Sequence, residues 1–245
     1  MKILLKGWVK GALILSLSIS FVSCEKSFDL KPEDALDYSQ AYQNVYDADA
    51  VVFGIYGKMA GIADRYLVLN ELRADLEDVT QNSDQYLKQL NNHDVSLENP
   101  WADPKPFYEI ILNCNDVLKN FDIMLENKRL TQADYDIRKS EVITARAWLY
   151  LQLGIHYGNV PYITDPLATF ADLKDESKYP KIPFTELLDK LIISTESMPN
   201  KDPLPSTVSL SATLDSYPTL KMFINKYFLM GDLYLWKGDY PSAAK

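Results

Sequence analysis

A long helical stretch, Thr131–Pro161, constrains the fold of this chain more than any other feature. Its sequence is TQADYDIRKSEVITARAWLYLQLGIHYGNVP. Thr131 is followed three residues later by Asp134, which is the pattern of a helix N-terminal cap. Gly158 predicts the end of the helix. A helix over Gln132–Tyr157 is about 39 Å long at the usual rise per residue.

The two halves of this helix differ in polarity. The first half is charged, whereas the segment from Ala147 to Tyr157 is apolar on nearly all sides. A helix that is apolar all round lies inside a protein or a membrane. The apolar segment is too short to span a bilayer. We therefore expect a central helix whose second half is packed on several sides.

Amphipathic patterns predict further helices. Pro106 is expected to begin the clearest one, whose apolar face runs from Phe107 to Leu125. Cys114 lies on that face and is expected to be a buried small hydrophobic residue rather than a reactive thiol. Other helices are expected at residues 84–90, from Pro183, and over residues 218–237. Only nine glycines and no long alternating runs argue against a β-rich fold.

A first helix is expected to run to about Ile62, with Asp47 or Asp49 as its N-terminal cap. Its glycines, Gly54 and Gly57 with Gly61 at the end, are expected to permit close approach of a neighbouring backbone. The following region, residues 63–105, is rich in Asn, Asp and Pro. A loop of this length inside a compact domain is more often functional than idle.

The C-terminal segment has the spacing of a tetratricopeptide repeat (TPR). Gly231 is expected to let two helices approach closely, with Tyr234 beside it, and Gly238 to end the first of them. The core Leu153-Gly154-x-x-Tyr157 repeats the pattern. We predict an all-α, TPR-like helical-repeat scaffold with long irregular ligand-binding loops. Because the chain stops in the opening turn of the last repeat's second helix, we expect it to be the N-terminal portion of a longer protein.

The N-terminus has the pattern of an export signal. Three lysines precede an apolar run that ends at Ser23, directly before Cys24. We predict a signal peptide over residues 1–23, a lipid-anchored tether over 24–46 and a helical domain over 47–245. A cysteine at this junction resembles a bacterial lipobox, so Cys24 is the expected lipidation site. Ordinary signal cleavage with an incidental Cys24 is the alternative.

The charge balance argues against nucleic acid as a partner. The formal net charge is −9, and removal of residues 1–23, which contain three lysines and no acid, lowers it to −12. Such a chain repels phosphate backbones.

No motif indicates an enzyme, a metal site or a cofactor. Only His93 and His156 occur, and the sequence contains no phosphate loop, HExxH or GxSxG element. The carboxylates Glu71, Asp75, Glu77 and Asp78 are expected to form a solvated face rather than an acid/base pair. Other side chains with expected structural roles are Arg146, in an ion pair with an acid such as Glu141, and Trp148 and Trp236, in the core.

Several motifs together resemble those of the SusD/RagB nutrient-binding outer-membrane lipoproteins of Bacteroidetes. Cys24-Glu25 leads into FDLKP, and DAVVFGIY lies on the first helix. FYEIILNCN marks the second long helix, and Arg146-Ala147 with YGNVP marks the third. GDLYLWKGDY lies near the C-terminal end. This family is usually about twice as long as the present chain.

The resemblance implies a TPR scaffold that carries a nutrient-binding face and docks on a SusC-like TonB-dependent transporter at the outer membrane. The ligand is expected to be an oligosaccharide, such as a starch-like glycan, or a peptide. Sugar rings stack on aromatic side chains, while amides and charged groups bind their hydroxyls. The candidate ligand-binding residues are Trp101, Tyr66, Asn70, Arg73, Asp75, Asn82 and Tyr86. The alternative for Trp101 is packing against residues 104–106.

Two other functional classes stay open at this point. A lipid-anchored TPR scaffold for envelope protein–protein interaction would grip peptides in its concave face, but it predicts more regular 34-residue repeats than the 77 residues that separate Gly154 from Gly231. A lipoprotein hydrolase is the remaining alternative.

Overall fold

The computed structural model of the protein describes residues 41–166 and 176–245. The predicted signal peptide, Cys24 and residues 24–40 of the predicted tether lie outside the described residues. Tyr42–Lys245 forms one folded unit. Among the described residues, no helix combines the length and apolar character needed to cross a membrane.

The described residues are mostly helical, as predicted. Their α-helices are α1 (Val45–Ala60), α2 (Ala63–Leu67), α3 (Gln85–Asn91), α4 (Lys105–Glu126), α5 (Gln132–Tyr157), α6 (Phe184–Glu196), α7 (Lys226–Lys237) and α8 (Tyr240–Ala243). Four two-residue strands form two antiparallel ribbons: β1 (Val160–Pro161) with β2 (Lys181–Ile182), and β3 (Thr213–Leu214) with β4 (Tyr217–Pro218). Short 3-10 turns cover Pro100–Ala102, Glu176–Lys178 and Thr219–Lys221, and a π-helical turn covers Val68–Leu72.

Helix α5 has the predicted ends and the predicted central position. Thr131 Oγ1 accepts a hydrogen bond from the Asp134 amide at 3.1 Å, and Gly158 ends the helix with a φ of 69°. The helix packs against α1, α4, α6 and α7. Most of its second half is buried, with Ala147, Leu149, Tyr150, Leu151 and Leu153 at most 2% exposed.

The N-terminal cap of α1 differs from the expectation. Asn44, rather than Asp47 or Asp49, is the cap, and its Oδ1 accepts from the amides of Tyr46 and Asp47. Asp47 completes a capping box by accepting from the Asn44 amide at 3.3 Å. Asp49 is instead buried and faces Arg138. The helix therefore begins two residues before Asp47.

The expected close approach at the α1 glycines is wrong. A Cβ atom built on Gly54 or Gly57 has no neighbour within 4 Å, and both residues are exposed. Gly61 meets only its own helix. A Cβ atom built on Gly231 would make an ordinary van der Waals contact with the Ala243 carbonyl oxygen, at 3.6 Å. Close packing at a glycine occurs at Gly154, where a Cβ would overlap the Phe184 ring.

Two buried ion pairs join α5 to distant parts of the chain. Arg138 is fully buried, and its Nε lies 2.7 Å from Asp49 Oδ1 on α1. Its Nη2 donates to Ser209 Oγ at 3.0 Å. One turn further along, Glu141 pairs with Lys226 at the start of α7. Two charged side chains in the first half of α5 are thus buried as paired charges, whereas Asp134, Asp136 and Lys139 stay partly exposed.

The expected Arg146–Glu141 pair is therefore replaced by other partners. Arg146 Nη1 donates to Asn115 Oδ1 at 2.8 Å, while Glu141 pairs with Lys226. Five residues separate Arg146 from Glu141 on the helix, so the two side chains point in different directions. Cys114 is fully buried, as predicted.

Helix α7, in contrast, begins later than the expected start at residue 218. Thr219 is buried and binds the backbone of Leu210 and Ala212, which holds it in a 3-10 turn. Helix α7 begins only at Lys226, capped by Asn225. Gly238 ends it in a left-handed conformation, as the repeat spacing predicted.

The two helical tryptophans are less buried than expected. The expectation that Trp236 lies in the core is wrong, because the residue is 52% exposed. Among the described residues, its ring makes one aromatic contact, an edge contact with the Phe184 ring. Trp148 is half-buried and stacks at a tilt on Tyr66, with ring centroids 5.1 Å apart. Both residues therefore lie on helix faces that are partly exposed to solvent.

The contact between Gly154 and Phe184 yields a stability test. Gly154→Ala should lower the free energy of unfolding by about 1–3 kcal/mol, because the added methyl group displaces the Phe184 ring from a packed site. Gly57→Ala is the matched control, and it should leave stability unchanged or raise it by up to about 1 kcal/mol. Urea denaturation monitored by tryptophan fluorescence measures both. Equal stability of the two variants would contradict the packing described here.

Candidate functional site

A cleft of about 620 Å³ lies where the loop between α3 and α4 meets the C-terminal end of α5. We call it the Arg73 cleft. It is lined by Leu69, Arg73, Leu90, His93, residues 95–100 and 102–104, His156 and Tyr157. Its volume falls within the range of about 300–1,000 Å³ that is usual for small-molecule sites.

One arginine holds the loop that forms one wall of the cleft. Arg65 Nη1, on α2, donates to the carbonyl oxygens of Pro100 at 2.5 Å, Trp101 at 2.6 Å and Asp103 at 3.4 Å. Charge-assisted hydrogen bonds of this kind are stronger than neutral ones. The loop is therefore fixed to α2 through its backbone and does not depend on its own side chains for this contact.

Asn99 fixes the same loop to α3. This residue is only 2% exposed, and its Nδ2 donates to the Tyr86 carbonyl at 2.9 Å and to Gln89 Oε1 at 3.0 Å. Its Oδ1 accepts from the Trp101 amide at 3.0 Å. All hydrogen-bonding capacity of the amide group except one lone pair is used in tying loop to helix.

The opposite wall contains Arg73, which directly follows the π-helical turn Val68–Leu72. Short π-helical segments occur frequently at functional sites. Arg73 Nη1 lies 3.1 Å from His156 Nδ1 at the end of α5. Burial, and secondarily the Arg73 charge, lower the pKa of His156 to about 4. His156 is thus neutral at neutral pH.

Tyr157 lies beside this pair. Burial raises the pKa of its hydroxyl to about 12; the nearby charges of Arg65 and Arg73 oppose this rise, and that of Asp103 adds to it. His156 Nε2 and Tyr157 Oη are both buried, and neither has a hydrogen-bond partner among the described residues. A half-buried wall with unpartnered polar atoms is suited to binding a polar ligand, because such atoms are costly to leave unpaired.

The structure places the seven predicted ligand-binding residues in different surroundings. Arg73 lines the cleft, and Trp101 lies in the 3-10 turn of its wall, with its ring packed against the hydrophobic core rather than lining the cavity. Asn70 donates to the Tyr66 carbonyl and to Gln152, so its amide has an internal role. The structure does not bring the seven together at one surface, and their ligand contacts stay predictions.

The remaining candidates lie away from the cleft. Tyr66 stacks on Trp148, and the Tyr86 carbonyl accepts from Asn99. Asp75 lies in an exposed turn with a φ of 58°, and Asn82 is also exposed. Asp75 shares its exposure with Glu77 and Asp78, as expected for a solvated acidic face. Within the described ranges, no three His, Cys, Asp or Glu side chains are grouped to hold a metal ion.

Sequence reasoning missed His156 and Tyr157 as wall residues and Arg65 and Asn99 as loop anchors. The sequence predicts the first two only as the end of the packed central helix. The sequence does carry a signal for these two residues, because polar His156 and Tyr157 end an otherwise apolar helical segment directly before Gly158. Arg65 gave no such signal, because its carbonyl partners are 35 or more residues away.

No protein-family model matches the sequence, and no curated protein matches it. Solved structures do match. A SusD superfamily protein of Bacteroides thetaiotaomicron superimposes with a TM-score of 0.62 at 17% identity, over 83% of this chain and 46% of its own. The chain has the SusD-like fold.

Two further structures agree with this assignment. A SusD-like protein of Bacteroides fragilis gives a TM-score of 0.63 at 20% identity, over 85% of this chain and 38% of its own. A laminarin-binding SusD-like protein gives 0.64 at 18% identity, over 83% and 42%. The present chain thus spans less than half the length of these SusD-like proteins. The resemblance indicated by the sequence motifs is confirmed for the fold.

The buried histidine predicts a pH dependence of stability. A histidine in the unfolded chain titrates near 6.5, whereas His156 in the folded chain titrates near 4. Between these values the unfolded state binds the extra proton, so stability is full above about pH 6.5 and falls as the pH drops toward 4. The contribution is at most about 1.4 kcal/mol per pH unit. His156→Gln should make the stability less dependent on pH in this window.

Urea denaturation at several pH values between 4 and 7 measures this effect as the difference between parent and variant. The matched control is His93→Asn, since His93 is exposed and its positive φ of 55° suits asparagine. This control should keep the parent's dependence. A His156→Gln variant with the same pH dependence as the parent would show that His156 is not held neutral.

Proposed function

We propose that the protein is a glycan-binding protein and that the Arg73 cleft binds the sugar. The observation that carries the proposal is a cleft of about 620 Å³ on a SusD-like scaffold, walled by a loop held in place by Arg65 and Asn99. A structural neighbour described as laminarin-binding supports a carbohydrate as the ligand. A peptide nutrient is the alternative ligand.

The wider role that we propose is nutrient uptake at the cell surface. The protein would be anchored in the outer membrane through acylated Cys24 and would deliver its ligand to a SusC-like TonB-dependent transporter. The support for anchoring is the N-terminal sequence, where a cysteine directly follows an apolar run. Two observations support a transporter partner. The chain has the SusD-like fold, and its sequence motifs resemble those of transporter-associated lipoproteins.

A lipid-anchored scaffold for protein–protein interaction is the second candidate. The observation that favours it is the apolar surface of α7 and α8, where Phe228 is 76% and Tyr240 68% exposed. Scaffolds of this kind bind through extended helix surfaces. The two candidates differ in what binds and where, so a ligand test at the cleft separates them.

Isothermal titration calorimetry against a panel of neutral and acidic oligosaccharides tests the proposal. At least one glycan should bind, and Trp101→Ala should weaken that binding by about fivefold or more, because the loop that forms the cleft wall loses its packed aromatic ring. Trp236→Ala is the matched control, since Trp236 is exposed on α7 and does not line the cleft. It should bind as the parent does.

Circular dichroism of each variant establishes that it is folded before titration. The absence of binding by every glycan of the panel would contradict the proposal and favour the scaffold. An unchanged affinity in folded Trp101→Ala would remove Trp101 from the site while leaving glycan binding in place.

A further inference from the structure

The half-buried wall of the Arg73 cleft presents hydrogen-bond donors. A guanidinium group only donates, so His156 Nδ1 must be the acceptor in its 3.1 Å contact with Arg73 Nη1. In a neutral imidazole the proton then lies on Nε2, which becomes a donor. Nε2 is buried and has no partner among the described residues, and the same is true of the Tyr157 hydroxyl.

Arg73 also has no acidic partner. Among the described residues, its guanidinium binds His156 and forms no ion pair with a carboxylate. A half-buried positive charge without a counter-charge is costly to keep, and a ligand that supplies an anion removes the cost.

Among the described residues, the two carboxylates that line the cleft, those of Glu98 and Asp103, form no ion pair with Arg73. Asp103 Oδ1 accepts from the Lys105 amide at 2.9 Å at the start of α4. Glu98 is exposed on the outer part of the loop. Both acids are exposed, whereas the donors occupy the half-buried wall.

We propose that the cleft binds an acidic sugar unit, such as a uronate within an oligosaccharide, whose carboxylate accepts hydrogen bonds from Arg73, His156 and Tyr157. The inference rests on the proposed glycan-binding function and names the class of glycan. A carboxylate has about four lone-pair positions on two oxygens, enough for all three donors. Arginine binds carboxylates in two parallel hydrogen bonds, which gives orientation as well as strength.

A neutral sugar satisfies this wall less completely. Its hydroxyl oxygens accept from His156 Nε2 and Tyr157 Oη, but they leave the Arg73 charge without a counter-charge. A hydrogen bond to a charged group contributes more than one between neutral groups. The two ligand classes therefore differ chiefly in the interaction with Arg73, and this difference can be measured.

Matched pairs of oligosaccharides test the inference. Oligogalacturonates and glucuronate-containing oligosaccharides are each compared with their carboxyl-reduced counterparts by isothermal titration calorimetry at pH 7. The acidic member of at least one pair should bind about tenfold more tightly than its neutral counterpart. Its affinity should fall as salt is raised, whereas that of the neutral member should not.

Three variants separate a direct role from a structural one. Arg73→Gln should remove the preference for the acidic member while leaving the affinity for the neutral member near that of the parent. Tyr157→Phe, which keeps the ring, should reduce the preference in part. Arg129→Gln is the matched control, because Arg129 is exposed, donates to the Tyr42 carbonyl and does not line the cleft. It should keep the preference in full.

Each other outcome has a definite meaning. Equal or tighter binding of the neutral members would overturn the acidic-sugar inference and leave glycan binding in place. A preference for acidic members that survives in both folded Arg73→Gln and folded Tyr157→Phe would also overturn it, since the anion would then bind elsewhere. Failure of every pair to bind would overturn the inference together with the proposed function.

Discussion

The burial of helix α5 is the constraint on which the rest of the structure depends. Its apolar second half is covered by α1, α4, α6 and α7, and its first half carries two fully buried charged side chains, Arg138 and Glu141. Burial of charges is tolerated only when they are paired. Asp49 on α1 and Lys226 on α7 supply the counter-charges, so the arrangement of these helices follows from the charges on α5. The same helix ends in the wall of the cleft, and the scaffold thereby positions the site.

Much of this fold was predictable because its signals are local. The cap of α5 and the prolines that predict the starts of α4 and α6 lie close to the helix ends, and the structure confirms these starts to within one residue. The predictions were wrong where contacts with residues distant in the sequence determine where a helix begins. Thr219 is held in a 3-10 turn by Leu210 and Ala212, which delays the start of α7, and Arg138 takes Asp49 away from capping α1. Neither contact has a signature in the neighbouring sequence.

The site was less predictable than the fold for the same physical reason. The aromatic and amide composition of residues 63–105 indicated a functional loop, and one predicted residue, Arg73, does line the cleft. Composition gives no direction to a side chain, however. Asn70, in the π-helical turn, points inward to Gln152, and Tyr66, on α2, lies against Trp148; both partners are on α5. Only the structure joins Arg73 to the end of α5.

The way the loop is held bears on how the cleft binds. Arg65 holds the loop through its backbone carbonyls, and the side chain of Asn99, within the loop, ties it to α3, so protein contacts alone fix the wall. A site that is already ordered does not lose loop entropy on binding, and weak individual contacts to a ligand such as the proposed sugar would then suffice for useful affinity. Asp103 joins this loop to the first turn of α4. The loop is therefore part of the packed helical scaffold, and the unpaired donors of Arg73, His156 and Tyr157 face a wall whose position is already fixed.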